Sequence, residues 1–198
     1  MKRDLSLKQF PQDYVVFDIE TTGFSPQNDE IIELSAIKVK DCEIVDEFSK
    51  LIKPFGFLSS RITDLTGITK EMVVSAPYIN PVILEFKEFC KDFIVLGHNV
   101  TFDLGFINAK LFECHKMTFD NDYIDTLKLA RKYLSHLSSK KLGVIAEHFG
   151  LNTDGMHRGL KDCSVTNVCY QKLCELAEQK GDYKPLKHKP LSLFDVLK

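Results

Sequence analysis

The chain has no long apolar run, no excess of positive charge, no closely paired cysteines and no internal repeat, and each absence removes a class of protein. None of its 198 residues fall in a stretch approaching the roughly 20 apolar positions that a membrane-crossing helix requires, so a membrane protein is not expected. Lys and Arg number 26 against 28 Asp and Glu, a net charge of −2, which excludes a nucleic-acid binder held by bulk electrostatics alone. Met1-Lys2-Arg3-Asp4-Leu5 is basic, but no apolar signal region or small-residue cleavage site follows it, so a cytoplasmic location is expected. Cys42, Cys90, Cys114, Cys163, Cys169 and Cys174 form no CxxC pair, which suits a reducing compartment and small core or surface roles rather than a zinc site. What is present, 44% hydrophobic and 11% aromatic residues, is enough for one α/β domain with a short tail.

Tyr14 to Phe17 is a β-branched and aromatic run that ends at Asp18, before the turn Thr21-Thr22-Gly23, and reads as a first, central strand. Ile31 to Val39 is apolar on both parities, and Ile44 to Ile52 follows the polar turn Lys40-Asp41-Cys42-Glu43, which predicts an antiparallel pair beside it. Short helical pieces are expected near Thr63 and Thr69, and a helix over Pro81 to Lys91 leads into a strand over Phe93 to Leu96. Thr101 is placed to cap a helix carrying Phe102, Phe106, Ile107, Leu111 and Phe112, and Tyr123-Ile124 is strand-like. Helices follow over Leu127 to Leu137, over Leu142 to Phe149, and from Gly159 to about Gln179. Strands first, then strands alternating with helices, predict a mixed five-stranded sheet flanked by helices, with the domain over residues 1–180 and a basic, proline-bearing linker and tail over 181–198.

Asp18 and Glu20 stand two apart on a strand, so the pleat puts both carboxylates on one face. Such a pair is tolerated in water or around a divalent cation, and hard oxygen donors suit Mg²⁺ or Mn²⁺. A solvated strand end is one alternative. A phosphatase-type D-x-D-x-T is another, although the second Asp is Glu here and no matching downstream lysine motif follows. Asp103, in a first helical turn, shares the stripe of Phe106 and Ile107; Asp162 shares that of Val165 and Cys169. Two inward carboxylates are costly without a counter-charge, and a metal would supply one. His157 precedes Asp162 by five residues on a loop after Asp154-Gly155-Met156, where a proton acceptor with a pKa in the histidine range is useful beside activated water.

The three segments Val16-Phe17-Asp18-Ile19-Glu20-Thr21-Thr22-Gly23, His98-Asn99-Val100-Thr101-Phe102-Asp103-Leu104-Gly105-Phe106 and His157-Arg158-Gly159-Leu160-Lys161-Asp162 resemble the motifs of the DEDDh exonucleases, a family that includes the proofreading subunit of bacterial DNA polymerase III and ribonuclease T. The resemblance spans residues 14–176. It implies a ribonuclease-H-like fold, two divalent cations, and 3′→5′ removal of mononucleotides. It makes Asp18, Glu20, Asp103 and Asp162 the metal ligands and His157 the general base, with cations ~4 Å apart flanking the phosphorus. It also implies substrate contacts at Thr21, Thr22, Gly23, His98, Asn99 and Phe102, and at Leu65-Thr66, where many members have His in place of Thr66. Gly159 and Cys163 stand where Ala is usual, and small residues there should preserve activity.

The substrate expected from the resemblance is a single-stranded or frayed 3′ end of DNA. RNA 3′-end trimming on the same fold is the alternative, because the five residues attack phosphorus and do not sense the 2′-hydroxyl. A non-catalytic interaction module is the third reading, and retention of all five residues argues against it. Pro190-Leu191-Ser192-Leu193-Phe194 resembles the Q-L-S/D-L-F pentapeptide by which bacterial replication proteins dock on the sliding clamp, with Leu191, Leu193 and Phe194 as anchors and Pro190 in place of Gln. A sliding clamp or a DNA polymerase is therefore the expected partner.

Overall fold

The computed structural model describes residues 2–186. Along the chain these form β1 (Phe10–Pro11), β2 (Tyr14–Thr21), β3 (Ile31–Lys40), β4 (Glu43–Leu51), α1 (Ser60–Thr66), α2 (Lys70–Val73), α3 (Ile79–Cys90), β5 (Ile94–Gly97), α4 (Thr101–His115), β6 (Tyr123–Asp125), α5 (Thr126–Tyr133), α6 (Leu142–His148), α7 (Gly159–Gln179) and β7 (Pro185–Leu186). The main sheet has the order β4-β3-β2-β5-β6, with β2 in the centre as expected. β2 runs antiparallel to β3 and parallel to β5.

The alternation along β2 sorts the core into two layers. Tyr14 and Val16 pack with Ile37, Val39 and the inner faces of α5, α6 and α7, including Leu129, Tyr133, Cys169 and Leu173. Val15, Phe17 and Ile19 face the other way, against Phe86 of α3 and Leu104, Phe106 and Ile107 of α4. Asp18 and Glu20 continue the Tyr14/Val16 parity, and so lie on the α7 side of the sheet. The strand runs on to Thr21 rather than ending at Asp18, which leaves both carboxylates inside paired backbone, Asp18 opposite Ser35 and Glu20 opposite Glu33.

Three local details differ from expectation. Thr101 is not a cap: Val100 holds that position with no side-chain hydrogen bond, and Thr101 is the first helical residue. Asn99 turns the chain there, with a left-handed φ of 63°, and accepts the Phe102 N–H at its carbonyl (3.0 Å). α5 begins at Thr126 because Asp125 caps it, accepting from the Leu127 N–H at 3.0 Å, and it ends at Tyr133. The chain after Gly181 returns to the body: Pro185–Leu186 pairs in parallel with Phe10–Pro11. Pairs of two residues lie below what periodicity can reveal. The tail carrying Leu191, Leu193 and Phe194 lies outside the described residues. Among the described residues no helix is long and apolar enough to cross a membrane.

Candidate active site

The sheet delivers two carboxylates and α7 delivers a third. Ligand oxygens of Asp18, Glu20 and Asp162 lie within 4.8 Å of one another. Asp103, buried in the first turn of α4, stands close enough to add its charge to Asp18. Burial lifts Asp18 well above the ordinary carboxylate range, and repulsion from Asp103, Glu20, Asp162 and Glu33 lifts it further. Burial, then the charges of Asp162 and Glu33, push Glu20 up to about 7, with Arg158 opposing. Asp103 rises to about 8, chiefly through burial and against hydrogen bonds from its own amide and that of Ile19. Four crowded carboxyls cannot all stay ionised without a counter-charge.

Asp162 gives the most specific sign of what that counter-charge is. Its Oδ2 accepts the backbone N–H groups of His157 (2.8 Å) and Arg158 (3.1 Å). Its Oδ1 is buried and has no hydrogen-bond partner among the described residues. A bare buried carboxylate oxygen is costly, and beside two further carboxylates it has the chemistry of a hard-cation ligand. The residues present therefore fit divalent metal. His157 itself is exposed, on the loop that enters α7, in a left-handed conformation (φ 67°).

The remaining sequence-selected residues divide into those that line open space and those used inside the protein. Leu65, half exposed, and Asn99 line a groove of about 1160 Å³ that also reaches His157. Phe102 is half-buried, between Phe106 and the exposed Phe24, at centroid distances of 5.1 and 6.3 Å. Thr66, by contrast, is turned inward. Its hydroxyl donates to the Ile62 carbonyl and accepts from the Ile68 N–H, so it ends α1 and offers nothing to a substrate. His98 has both ring nitrogens engaged, by the Thr126 hydroxyl (2.9 Å) and the Lys140 carbonyl (2.8 Å). It anchors the Lys140 loop and, with Lys140, lines the same groove as Asn99. Thr21 and Thr22 close their own turn: Thr21 Oγ1 donates to the Gly23 carbonyl, and Thr22 Oγ1 accepts from Glu30. A Cβ at Gly23 would lie 2.5 Å from the Asp29 carboxylate, which would have to turn away from the Ser25 N–H it accepts.

Two residues beside the site escaped the sequence reading. Phe24 stands 83% exposed directly after the first motif, and a solvent-facing Phe next to a Thr-Thr-Gly turn is a readable signal for a stacking surface. Glu33 is buried beneath Arg158 and Gly159. Its signal was an acid inside a strand apolar on both parities.

With this geometry in view, the class is defined by the comparisons. The exonuclease family model RNase_T matches residues 15–168, and the chain belongs to that family. It is 43% identical over 177 residues to the DNA polymerase III subunit epsilon of Aquifex aeolicus, covering 88% of each chain. It is 41% identical over 195 residues to the PolC-type DNA polymerase III of Clostridium perfringens, of which it spans 13%. Among solved structures, Exonuclease X bound to 5′ overhanging duplex DNA superposes with a TM-score of 0.65 at 24% identity, over 85% of this chain and 93% of that one. Escherichia coli Exonuclease I with a dT13 oligonucleotide gives 0.73 at 17% identity, over 86% and 43%. These solved structures share the mixed five-stranded, ribonuclease-H-like fold.

Proposed function

We propose that this chain is a metal-dependent 3′→5′ exonuclease that hydrolyses terminal phosphodiester bonds of DNA and releases 5′-mononucleotides. The observation that carries the reading is the cluster of Asp18, Glu20 and Asp162, whose ligand oxygens lie within 4.8 Å of one another and in which Asp162 keeps a buried Oδ1 with no hydrogen-bond partner among the described residues, with His157 on the adjoining loop. Asp18, Glu20, Asp103 and Asp162 would hold two cations, Mg²⁺ or Mn²⁺, which when bound neutralise the carboxylates, draw charge from the phosphate and ease ionisation of water. His157 accepts the proton of the attacking water as its oxygen bonds to phosphorus. The P–O3′ bond breaks, and the leaving oxygen takes a proton from solvent. Phe24 and Phe102 offer rings on which the terminal base or sugar stacks.

The groove beside His157 supports a nucleic-acid strand as substrate. Arg131, Lys140 and Lys141 line it against one acid, Glu147, so positive charge is concentrated there in a chain of net charge −2. Identity to an epsilon subunit over most of both chains favours DNA and a role in replication proofreading beside a polymerase in the cytoplasm. The tail anchors Leu191, Leu193 and Phe194 would tether the enzyme to a sliding clamp, raising its local concentration on DNA.

The test is digestion of 3′-labelled single-stranded DNA, duplex DNA with a mismatched 3′ end, and RNA, each with Mg²⁺ or Mn²⁺. Stepwise release of 5′-mononucleotides from DNA, abolished by EDTA and by Asp18→Ala or Asp162→Ala, is expected. Full activity in either variant would remove the site assignment, and preferential digestion of RNA would replace DNA as the substrate.

A further inference from the structure

One buried carboxylate at the site has no part in the chemistry above. Glu33 is 3% exposed, between the buried apolar side chains of Ile32 and Leu34, and it sits directly across from Glu20 in the β2/β3 register. Like charges facing each other across strands destabilise a sheet, and burial adds a desolvation cost. Both costs need compensation, and the compensating groups are specific. Glu33 Oε2 accepts the Gly159 N–H at 3.0 Å, and Oε1 accepts Arg158 Nη2 at 3.4 Å. These are consecutive residues, and they immediately follow His157. The carboxylate also faces the N-terminus of α7, where the helix dipole favours negative charge.

We propose that Glu33 is a positioning residue, a clamp that holds Arg158 and the first amide of α7 so that His157 and Asp162 face Asp18 and Glu20. The inference rests on the exonuclease reading of the site. His157 occupies a left-handed backbone conformation, which costs a non-glycine residue energy that its neighbours must offset. Two anchors do so. Asp162 Oδ2 takes the His157 and Arg158 amides, and Glu33 takes the Arg158 guanidinium and the next amide. Glu33 is not a further ligand, because each of its oxygens already accepts a hydrogen bond and the ligand cluster forms from Asp18, Glu20 and Asp162. It acts through the loop. The Arg158 guanidinium it fixes also offsets part of the repulsion on Glu20.

Glu33→Gln is the informative variant. It preserves side-chain volume and can still accept the Gly159 N–H, but its amide N–H₂ then meets the Arg158 guanidinium, donor against donor. We expect kcat to fall about 10-fold or more, as for other residues that orient ligands from behind, with KM changed by less than about threefold. Amide hydrogen exchange, measured without metal or substrate, should quicken over residues 157–162 and stay unchanged in the rest of α7. Arg158→Ala, at a side chain 48% exposed and tolerant of truncation, should reproduce both effects, and the double variant should lose no more than either single one. Wild-type kcat and exchange in Glu33→Gln would overturn the proposal. So would additive losses in the double variant, or exchange that quickens throughout the molecule. Should wild-type protein show no nuclease activity, the exonuclease reading falls, and the exchange comparison still decides whether the clamp exists.

Discussion

A methyl group placed on Gly159 would test how closely α7 is seated on the sheet. The first residue of α7 lies over Ser35 of β3, and a Cβ there would stand 2.5 Å from Ser35 Oγ and 2.6 Å from Ser35 Cβ. Unstrained carbon contacts lie near 3.5–4.0 Å, so something must move. Overpacking of this kind costs about 1–3 kcal/mol, against which alanine's helical preference returns about 0.5–1 kcal/mol. Gly159→Ala is therefore expected to destabilise by about 1–2 kcal/mol, or about 2–8 °C in melting temperature for a domain of this size. Because Gly159 donates to Glu33 and adjoins His157, activity should fall with it. Ser35→Gly removes both offending atoms, while Ser35→Ala leaves the Cβ, 2.6 Å away, in place. A denaturation cycle should then show Ser35→Gly/Gly159→Ala recovering at least 1 kcal/mol of the expected sum and Ser35→Ala/Gly159→Ala recovering little. Additive energies in the glycine double variant, or an unperturbed Gly159→Ala protein, would refute the seating. The sequence expectation is that glycine, standing where alanine is usual, preserves activity because it is small; the seating on Ser35 gives that smallness a physical reason.

Three further outcomes follow from the site. His157→Ala should lower the hydrolysis rate by about 10²-fold or more in a steady-state assay while calorimetric Mn²⁺ binding persists; an unchanged rate would assign proton removal elsewhere. Asp18, Glu20 and Asp103 hold protons in the folded, metal-free chain at pH values where unfolded carboxyls, with pKa near 4, have lost them. The contribution of these three carboxyls to the stability of the metal-free protein should thus be largest near pH 4 and be lost as pH rises to about 8, with added divalent cation restoring stability at the upper end; melting curves between about pH 4 and 8 check the sign. Replacing Arg131, Lys140 and Lys141 together by Ala should flatten the dependence of log KM on log salt for a long single strand by about 0.7 per lost phosphate contact, and leave cleavage of a dinucleotide little changed. An unchanged salt slope would place the strand on another face.

Much of this molecule was legible before any fold was known, because periodicity is a local property. The period-2 run through Tyr14 and Val16 assigned Asp18 and Glu20 to one face, and the helical stripes of Phe106 and Val165 turned Asp103 and Asp162 inward, where the structure places them. The central place of β2, the antiparallel pair beside it and the span of α7 from Gly159 to Gln179 follow from the same patterns. The four carboxylates are singled out as ligands by the resemblance of the three motifs to the exonuclease family, beyond what side-chain chemistry alone decides.

What the sequence could not decide is which polar atoms are already used by the protein itself. The hydroxyls of Thr66, Thr21 and Thr22 look as available as the side chains of Asn99 or Leu65 in one dimension, yet their hydrogen bonds close within the chain. Glu33 reads as an anomaly in an apolar strand until β3 and the start of α7 come together and 126 residues of sequence separation become a 3.0 Å hydrogen bond. Local pattern determined which residue types share a face, since backbone geometry repeats along each element. Only the tertiary structure determined which oxygen of Asp162 stays bare and which glycine is seated against Ser35, because those depend on contacts between elements that no local period encodes.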